Sequence, residues 1–304
     1  MNASSVMPAW RGLLYVGLAA ASWGTSGVAA AILFRDSGLG PFAVSFWRFV
    51  FGAGLLAAGG LALRRRRSGH TGSGRVRLLM IAAGMATYHA AYFAAVDLAG
   101  VAVATVVTLG SGPVLVAIGS RLTSGDRLGR SGGVTVGLAL AGLLLLTFGD
   151  SGGAGLDRSS VLGIGLALLS GLGYAVVTVG SGTGGGDPYR TALTGFAVGA
   201  VFLLPLALLE GAWPQAEHLG GTVLILAYLG AVPTAAAYAL FFAGLAVVRA
   251  NTVAIVTLVE PVVAAAIAVW LLGEHLTGVE LAGTLLLLLA VAARAASERR
   301  PVPA

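Results

Sequence analysis

Three ionisable side chains stand inside apolar stretches of this 304-residue chain. Glu260 precedes Pro261 in TLVEPVVAAAIAVW, His89 lies in TYHAAYF, and Arg48 lies in FWRF. An imidazole or a carboxylate can carry a proton or bind a polar substrate, and a guanidinium can hold a carboxylate through two hydrogen bonds. Such groups are costly within a membrane span, so each indicates a functional site or a polar contact with a neighbouring helix.

The composition assigns the chain to the membrane proteins. Hydrophobic residues make up 57% and charged residues 10%, whereas ordinary soluble domains carry about 25% charged residues. The net charge of +6 does not indicate a nucleic-acid partner, because the Arg residues fall between apolar segments. The chain has no Lys for an ATP-binding P-loop and no Cys for a thiolate site, and we expect neither a metal nor a cofactor.

Ten apolar segments are long enough, at about 20 residues each, to cross a bilayer as helices. Their expected limits are 13–33, 42–63, 78–97, 102–120, 131–148, 161–180, 190–209, 222–242, 251–271 and 278–295. With both termini in the cytoplasm, almost all Arg residues outside the spans fall inside, and only Arg35 and Arg158 fall outside. The basic loop from Arg64 to Arg75 is then expected to contact anionic lipid.

The chain repeats itself at an offset of 148 residues, because GLAAAS, PVLVA and GDRL overlie GLALLS, PVVAA and GEHL. The expected units are 12–148 and 160–295, followed by a cytoplasmic tail at 296–304. Five spans are an odd number, so the second unit enters the membrane inverted. Inverted repeats are typical of secondary transporters that bind substrate near the midplane, between the two units.

Glu260 lies about nine residues into the ninth span, roughly 13 Å from its cytoplasmic start and near the midplane. Pro261 cannot donate a backbone hydrogen bond, so we expect a kink that frees the carbonyl of Thr257. A charged carboxylate should face the protein interior. The sequence leaves open whether Glu260 binds substrate or protons, or anchors a neighbouring helix.

His89 also lies near mid-depth, and Tyr88 and Tyr92 share roughly one flank of the same helix. This group is predicted to line the cavity, with the Tyr rings against an aromatic or apolar substrate; the alternative is a histidine bonded between helices. Arg48 could bind a substrate carboxylate or pair with Glu260, although snorkelling or packing explains it as well.

Two further pairs lie in paired stretches of the two units, Trp23 with Ser26 and Tyr174 with Thr178. The glycines around them are expected to break or weaken these helices and to permit close backbone approach; they are Gly24, Gly27, Gly171 and Gly173. Tyr238, with Phe242, is a weaker candidate in the eighth span. We therefore expect all these aromatic and hydroxyl side chains to contribute to substrate binding.

SWGTSG in span 1, FWRF in span 2 and LVEPVVAAAIAVWLLGEHL across spans 9 and 10 resemble the drug/metabolite transporter superfamily, specifically its EamA-type members. The resemblance covers about residues 12–295. It implies an all-α bacterial inner-membrane protein with ten helices around a central cavity, and export of small metabolites, often amino acids. The first unit departs from the pattern, since GSGPVLVA has no carboxylate before Pro113.

The leading hypothesis is a transporter, not an enzyme, that exports small metabolites by alternating access, driven by protons or by the substrate gradient. Amino acids are the expected substrate, aromatic or apolar ones among them. A drug efflux protein or a passive channel of the same fold is the alternative, and an intramembrane serine enzyme using Ser111 with His89 is a remote one. The expected partners are substrate and lipid, in a monomer or a weak homodimer.

Overall fold

The computed structural model describes residues 7–62, 72–126, 128–148, 158–182, 187–214, 219–272 and 277–298. Within these ranges the chain forms helices and no strand. The helices are α1 (Ala9–Ser37), α2 (Pro41–Ala62), α3 (Gly72–Thr123), α4 (Gly129–Phe148), α5 (Arg158–Gly180), α6 (Pro188–Glu210), α7 (Leu219–Gly230), α8 (Ala237–Leu245), α9 (Ala250–Val256), α10 (Val259–Leu272) and α11 (Gly278–Glu298). Most of the predicted basic loop and the end of the predicted tail lie outside these ranges.

The described helices make this a multi-pass membrane protein. Nine segments are long and apolar enough to cross a bilayer, and they correspond to the second through tenth predicted spans. α1 covers the first predicted span and contains 29 residues. At 1.5 Å per residue it is about 43 Å long, which exceeds the hydrocarbon thickness of about 30 Å.

α3 keeps helical hydrogen bonding from Gly72 to Thr123, where the sequence predicted two spans with a loop between them. The Tyr92 hydroxyl nevertheless lies 2.9 Å from that of Thr105. Thirteen residues of straight helix would separate the two by about 20 Å, so the chain must reverse between them. The first arm runs antiparallel to α5, since Arg77 contacts Gly180 and Tyr88 contacts Ser170. The second arm runs parallel to α5, since Thr108 contacts Ala167 and Gly119 contacts Val179. The two predicted spans are therefore the arms of one helical hairpin.

The second and seventh spans, which are equivalent in the predicted repeats, pack against each other in opposite directions. At one end the Ala43 N–H donates to the Glu210 carboxylate at 2.7 Å. At the other end the Tyr189 hydroxyl donates to the Leu56 carbonyl. α4 and α11, the fifth and tenth spans, also pack against each other, with Gly142 in close contact with Gly283. Antiparallel packing of equivalent helices is compatible with two units related by an axis in the membrane plane.

The helices depart from regular geometry where two prolines stand. Pro233 lies in a π-helical turn, Ala231–Ala236, between α7 and α8. The ninth span is interrupted between α9 and α10, which confirms the kink predicted before Pro261. The Thr257 carbonyl is not left free, as the sequence suggested, because it accepts the Glu260 N–H at 3.0 Å. The local backbone tightens by one residue and so satisfies that carbonyl.

The breaks predicted at the glycine clusters are wrong, because α1 and α5 continue without interruption through these positions. A glycine weakens a helix by only about 0.5–1 kcal/mol relative to alanine, which packing can offset. The glycines serve close approach instead. A Cβ on Gly24 would lie 2.7 Å from the Glu260 carbonyl oxygen, and one on Gly173 would lie 2.7 Å from that of Gly84.

Candidate functional site

A small cavity lies between the spans of both predicted units. It is lined by Trp23, Met85, Tyr88, Leu109, Tyr174, Val177, Tyr238, Phe241, Thr257 and Glu260. These residues come from the first, third, fourth, sixth, eighth and ninth spans. The cavity measures about 20 Å³, which is room for one or two water molecules. The cavity is therefore too small for an amino acid or a similar metabolite.

Aromatic rings form most of the cavity wall. The Trp23 ring centroid lies 4.9 Å from that of Tyr238 and 5.3 Å from that of Phe241. Tyr88 and Tyr174 face each other at 5.9 Å. Trp23 is 8% exposed, and its indole Nε1 is buried without a hydrogen-bond partner. The wall thus combines aromatic surfaces with a buried hydrogen-bond donor that has no partner.

Glu260 provides the carboxylate of the cavity. It lies in the first turn of α10, where the break after α9 turns the chain and Gly24 lets α1 approach the Glu260 backbone. Within the described part of the chain, its carboxylate forms no hydrogen bond and no ion pair within 4.0 Å. A membrane-embedded carboxylate in this position can accept an ammonium group, another donor or a proton.

Arg48 supplies a positive charge close to this carboxylate. The side chain is 8% exposed, and its Nε donates to the Thr234 hydroxyl at 3.4 Å, in the π-helical turn. The guanidinium is close enough to Glu260 to interact with its carboxylate electrostatically. Its burial in the protein excludes the snorkelling alternative. Arg48 is not among the residues that line the cavity, so one charge stands in the cavity wall and the opposite charge beside it, without an ion pair between them.

His89 lies behind the cavity wall rather than among the lining residues. Its ring packs edge-on against Phe49 at 4.8 Å and against Tyr88 at 4.7 Å. Nδ1 lies 3.0 Å from the Met85 carbonyl oxygen. A carbonyl only accepts, so Nδ1 carries the hydrogen, and in the neutral ring Nε2 is left as an acceptor.

A hydrogen bond joins the sixth and ninth spans in the cavity wall. The Tyr174 and Thr257 hydroxyl oxygens lie 2.8 Å apart. The single Thr257 hydroxyl hydrogen is directed to the Ala254 carbonyl at 3.0 Å. Tyr174 must therefore be the donor of the bond that joins α5 to the break between α9 and α10.

Of the predicted site residues, five line the cavity: Trp23, Tyr88, Tyr174, Tyr238 and Glu260. The other five lie outside the lining, His89 behind the wall and Arg48 beside the cavity among them. The Ser26 hydroxyl donates to the Trp23 carbonyl, Tyr92 bonds to Thr105 in the hairpin, and Thr178 lies one turn beyond Tyr174 on α5. Whether any of them binds substrate stays a prediction.

Sequence reasoning missed half of the lining: Met85, Leu109, Val177, Phe241 and Thr257. Leu109 and Thr257 are separated by the repeat offset of 148, so the duplication could have identified this pair. The other three are apolar residues among many similar ones and carried no distinguishing signal.

Ser111 and His89 do not form the hydrogen-bonded pair that a serine enzyme would need. The Ser111 hydroxyl donates to the Thr108 carbonyl at 3.2 Å, whereas His89 bonds to the Met85 carbonyl. In the portion of the chain described, no group of three His, Asp or Glu side chains could hold a metal ion.

Comparison with known proteins identifies the family. The model of the EamA-like transporter family matches residues 10–148 and 161–293. The Bacillus subtilis protein YwfM, named as an uncharacterized transporter, is 32% identical over 291 residues, 94% of each chain. The Pseudomonas aeruginosa protein PA1977 is 31% identical over 271 residues, 89% of each chain. A crystal structure of 22% identity shares the fold with a TM-score of 0.77, over 93% of this chain and 97% of that one. The chain therefore belongs to the EamA-like transporter family.

Proposed function

We propose that this transporter exports zwitterionic amino acids with aromatic or apolar side chains by alternating access. The observation that carries the proposal is the pair of unlike charges, Arg48 and Glu260, which stand near one aromatic cavity without neutralising each other. An isolated buried charge is costly, and a ligand that carries both opposite charges would compensate the two groups at once.

In the proposed complex the substrate ammonium group binds Glu260 and the substrate carboxylate binds Arg48. A guanidinium can hold a carboxylate through two parallel hydrogen bonds, which fixes the orientation of the substrate. The Trp23 indole, whose Nε1 has no partner, is a further donor for a substrate oxygen. The substrate side chain then lies among Tyr88, Tyr174 and Phe241, where ring stacking favours aromatic and apolar groups.

The small volume of the cavity supports transport through a change of conformation. About 20 Å³ cannot hold an amino acid, so substrate binding requires an opening of the surrounding helices. We place both termini in the cytoplasm of a bacterial inner membrane, on the distribution of Arg. Export is then driven by the substrate gradient or by protons carried on Glu260.

The test uses the purified protein in proteoliposomes with phenylalanine and two analogues, phenethylamine without the carboxylate and phenylpropionate without the ammonium group. Glu260→Gln should raise KM for phenylalanine about 10- to 100-fold, since a hydrogen bond to a charged group contributes about 1.5–3 kcal/mol. The same variant should leave phenylpropionate nearly unaffected. Arg48→Gln should also raise KM for phenylalanine, but it should leave phenethylamine, rather than phenylpropionate, nearly unaffected. Glu280→Gln serves as control, because Glu280 bonds to Thr277 at the start of α11, away from the cavity.

A second candidate is efflux of aromatic cations, which the aromatic wall beside Glu260 also favours. It predicts phenethylamine transport that equals phenylalanine transport and does not depend on Arg48. If neither phenylalanine nor any other amino acid shows counterflow, the first proposal is refuted. A pH gradient that leaves export unchanged would assign the driving force to the substrate gradient.

A further inference from the structure

We propose that the cytoplasmic half of the substrate path runs along one polar stripe of α5, formed by Tyr174, Thr178 and Ser181, and opens when α9 moves away from it. The inference rests on the proposed transport function and adds the route between the cavity and the predicted inner surface. Tyr174 lines the cavity, and Ser181 follows the last residue of α5. The stripe therefore connects the site with the end of the helix.

The three side chains share one face because they are spaced at i, i+4 and i+7. The backbone remains helical up to the last of them, since the Ser181 N–H donates to the Val177 carbonyl at 3.0 Å. The other faces of α5 are occupied by the arms of α3. Gly173 contacts the first arm and Val179 contacts the second. The stripe thus faces the centre of the helix bundle.

Two hydroxyls of the stripe are buried without a partner. Thr178 is 0% exposed, and its Oγ1 stands close to Tyr174 without hydrogen-bond geometry; the Ser181 Oγ is likewise buried and unbonded. Buried polar groups are bonded in the great majority of cases, and an unbonded one destabilises the state that buries it. Water or substrate would satisfy both hydroxyls in a state that exposes the stripe. Their burial therefore favours an alternative conformation in which this face is wet.

Across from Tyr174 stand small residues of α9 and of the break that follows it, Ala250, Ala254 and Thr257, at the same helical spacing. Ala254 packs with Ala175 and Val116, and the Tyr174–Thr257 hydrogen bond ties α5 to the break after α9. Because these side chains are small, they do not obstruct the path once α5 and α9 separate. α9 has only seven residues and ends at the break before α10, so it can tilt without bending the outer half of its span.

The stripe is present in one unit only. Subtracting the repeat offset of 148 from its positions gives Ser26, Ala30 and Leu33 in α1, of which only the first is polar. Residues that merely maintained the fold of both units would not require this difference. The polar face is therefore specific to the half of the path that α5 borders.

The natural chain contains no Cys, so single cysteines report accessibility without background. Thr178→Cys and Ser181→Cys are prepared separately in inside-out vesicles and treated with a membrane-impermeant maleimide, with and without phenylalanine. Ala167→Cys is the matched control for Thr178→Cys, since Ala167 is equally buried on α5 but packs with Ala95 and Ala104. During transport we expect both stripe cysteines to react at least about 10-fold faster than the control.

A second measurement separates this inference from the proposed substrate. Tyr174→Phe removes the donor of the Tyr174–Thr257 hydrogen bond. In the absence of substrate, this change should speed labelling of either stripe cysteine about 5- to 10-fold. That factor corresponds to the net free energy of one hydrogen bond. Faster labelling with no phenylalanine transport would uphold the path and refute the proposed substrate. Phenylalanine transport with stripe cysteines that react no faster than the control would refute the path alone.

Discussion

Gly24→Ala tests whether the close contact of α1 with the Glu260 backbone holds the site together. The added Cβ would lie 2.7 Å from the Glu260 carbonyl oxygen, 2.9 Å from Val263 Cβ and 3.0 Å from Val263 Cγ1. Ordinary contact begins at 3.4 Å, so the two helices must separate by about 0.7 Å at this point. Overpacking of this kind costs about 1–3 kcal/mol.

Gly17→Ala in the same helix is the control, because a Cβ there meets nothing within 4 Å. Both substitutions improve the helix itself by about 0.5–1 kcal/mol, so their difference isolates the contact. We expect Gly24→Ala to be about 1–3 kcal/mol less stable than Gly17→Ala in chemical unfolding of the detergent-solubilised protein. KM for phenylalanine should rise in Gly24→Ala alone, since the displaced backbone carries the carboxylate of Glu260.

Equal stability and equal KM of the two variants would show that α1 and α10 yield at no cost, and that the position of Glu260 is not set by this contact. A loss of stability without a change in KM would retain the packing argument but remove its connection with the site.

Three further substitutions test separate contacts. Thr234→Val should raise KM for phenylalanine several-fold with little change in kcat, because it removes the hydroxyl that accepts from Arg48, and Thr234→Ser should restore it; equal KM values in both would refute this positioning role. Gly283→Ala places a Cβ 2.6 Å from the Gly142 carbonyl oxygen and should lower the free energy of unfolding by about 1–3 kcal/mol, whereas Gly137→Ala meets nothing within 4 Å and should not. Thr277→Ala removes the hydroxyl that accepts the Glu280 N–H at 3.3 Å and should cost about 0.5–2 kcal/mol in the same unfolding assay, with Thr277→Ser close to wild type.

The sequence located the spans because length and apolarity are the requirements of crossing a bilayer. It also placed the kink before Pro261 and brought attention to Glu260, since a proline lacks a donor and a carboxylate in an apolar run has few explanations. The turn between the two arms of α3 was expected as a loop, and its helical bonding could not be read from the residues. Local hydrogen bonding there depends on how tightly both arms pack along α5.

The apolar part of the cavity was beyond sequence reasoning for a physical reason. In a soluble helix the apolar face marks the core, but in a bilayer the lipid-facing side is equally apolar. Phe241 lines the cavity whereas the neighbouring Phe242, also considered, does not, and no local pattern distinguishes them. Thr257 was noticed for its carbonyl, while its hydroxyl makes the contact with Tyr174.

The hairpin of α3 has a mechanical consequence. Both of its arms lie along α5, which comes from the other half of the chain, and α8 and α10 correspondingly lie along α1. The blocks that could rock against each other are thus assembled from interleaved pieces of the two sequence halves. A gene cut between the halves would yield two fragments, neither of which contains a complete block, so activity should return only when both fragments are produced together.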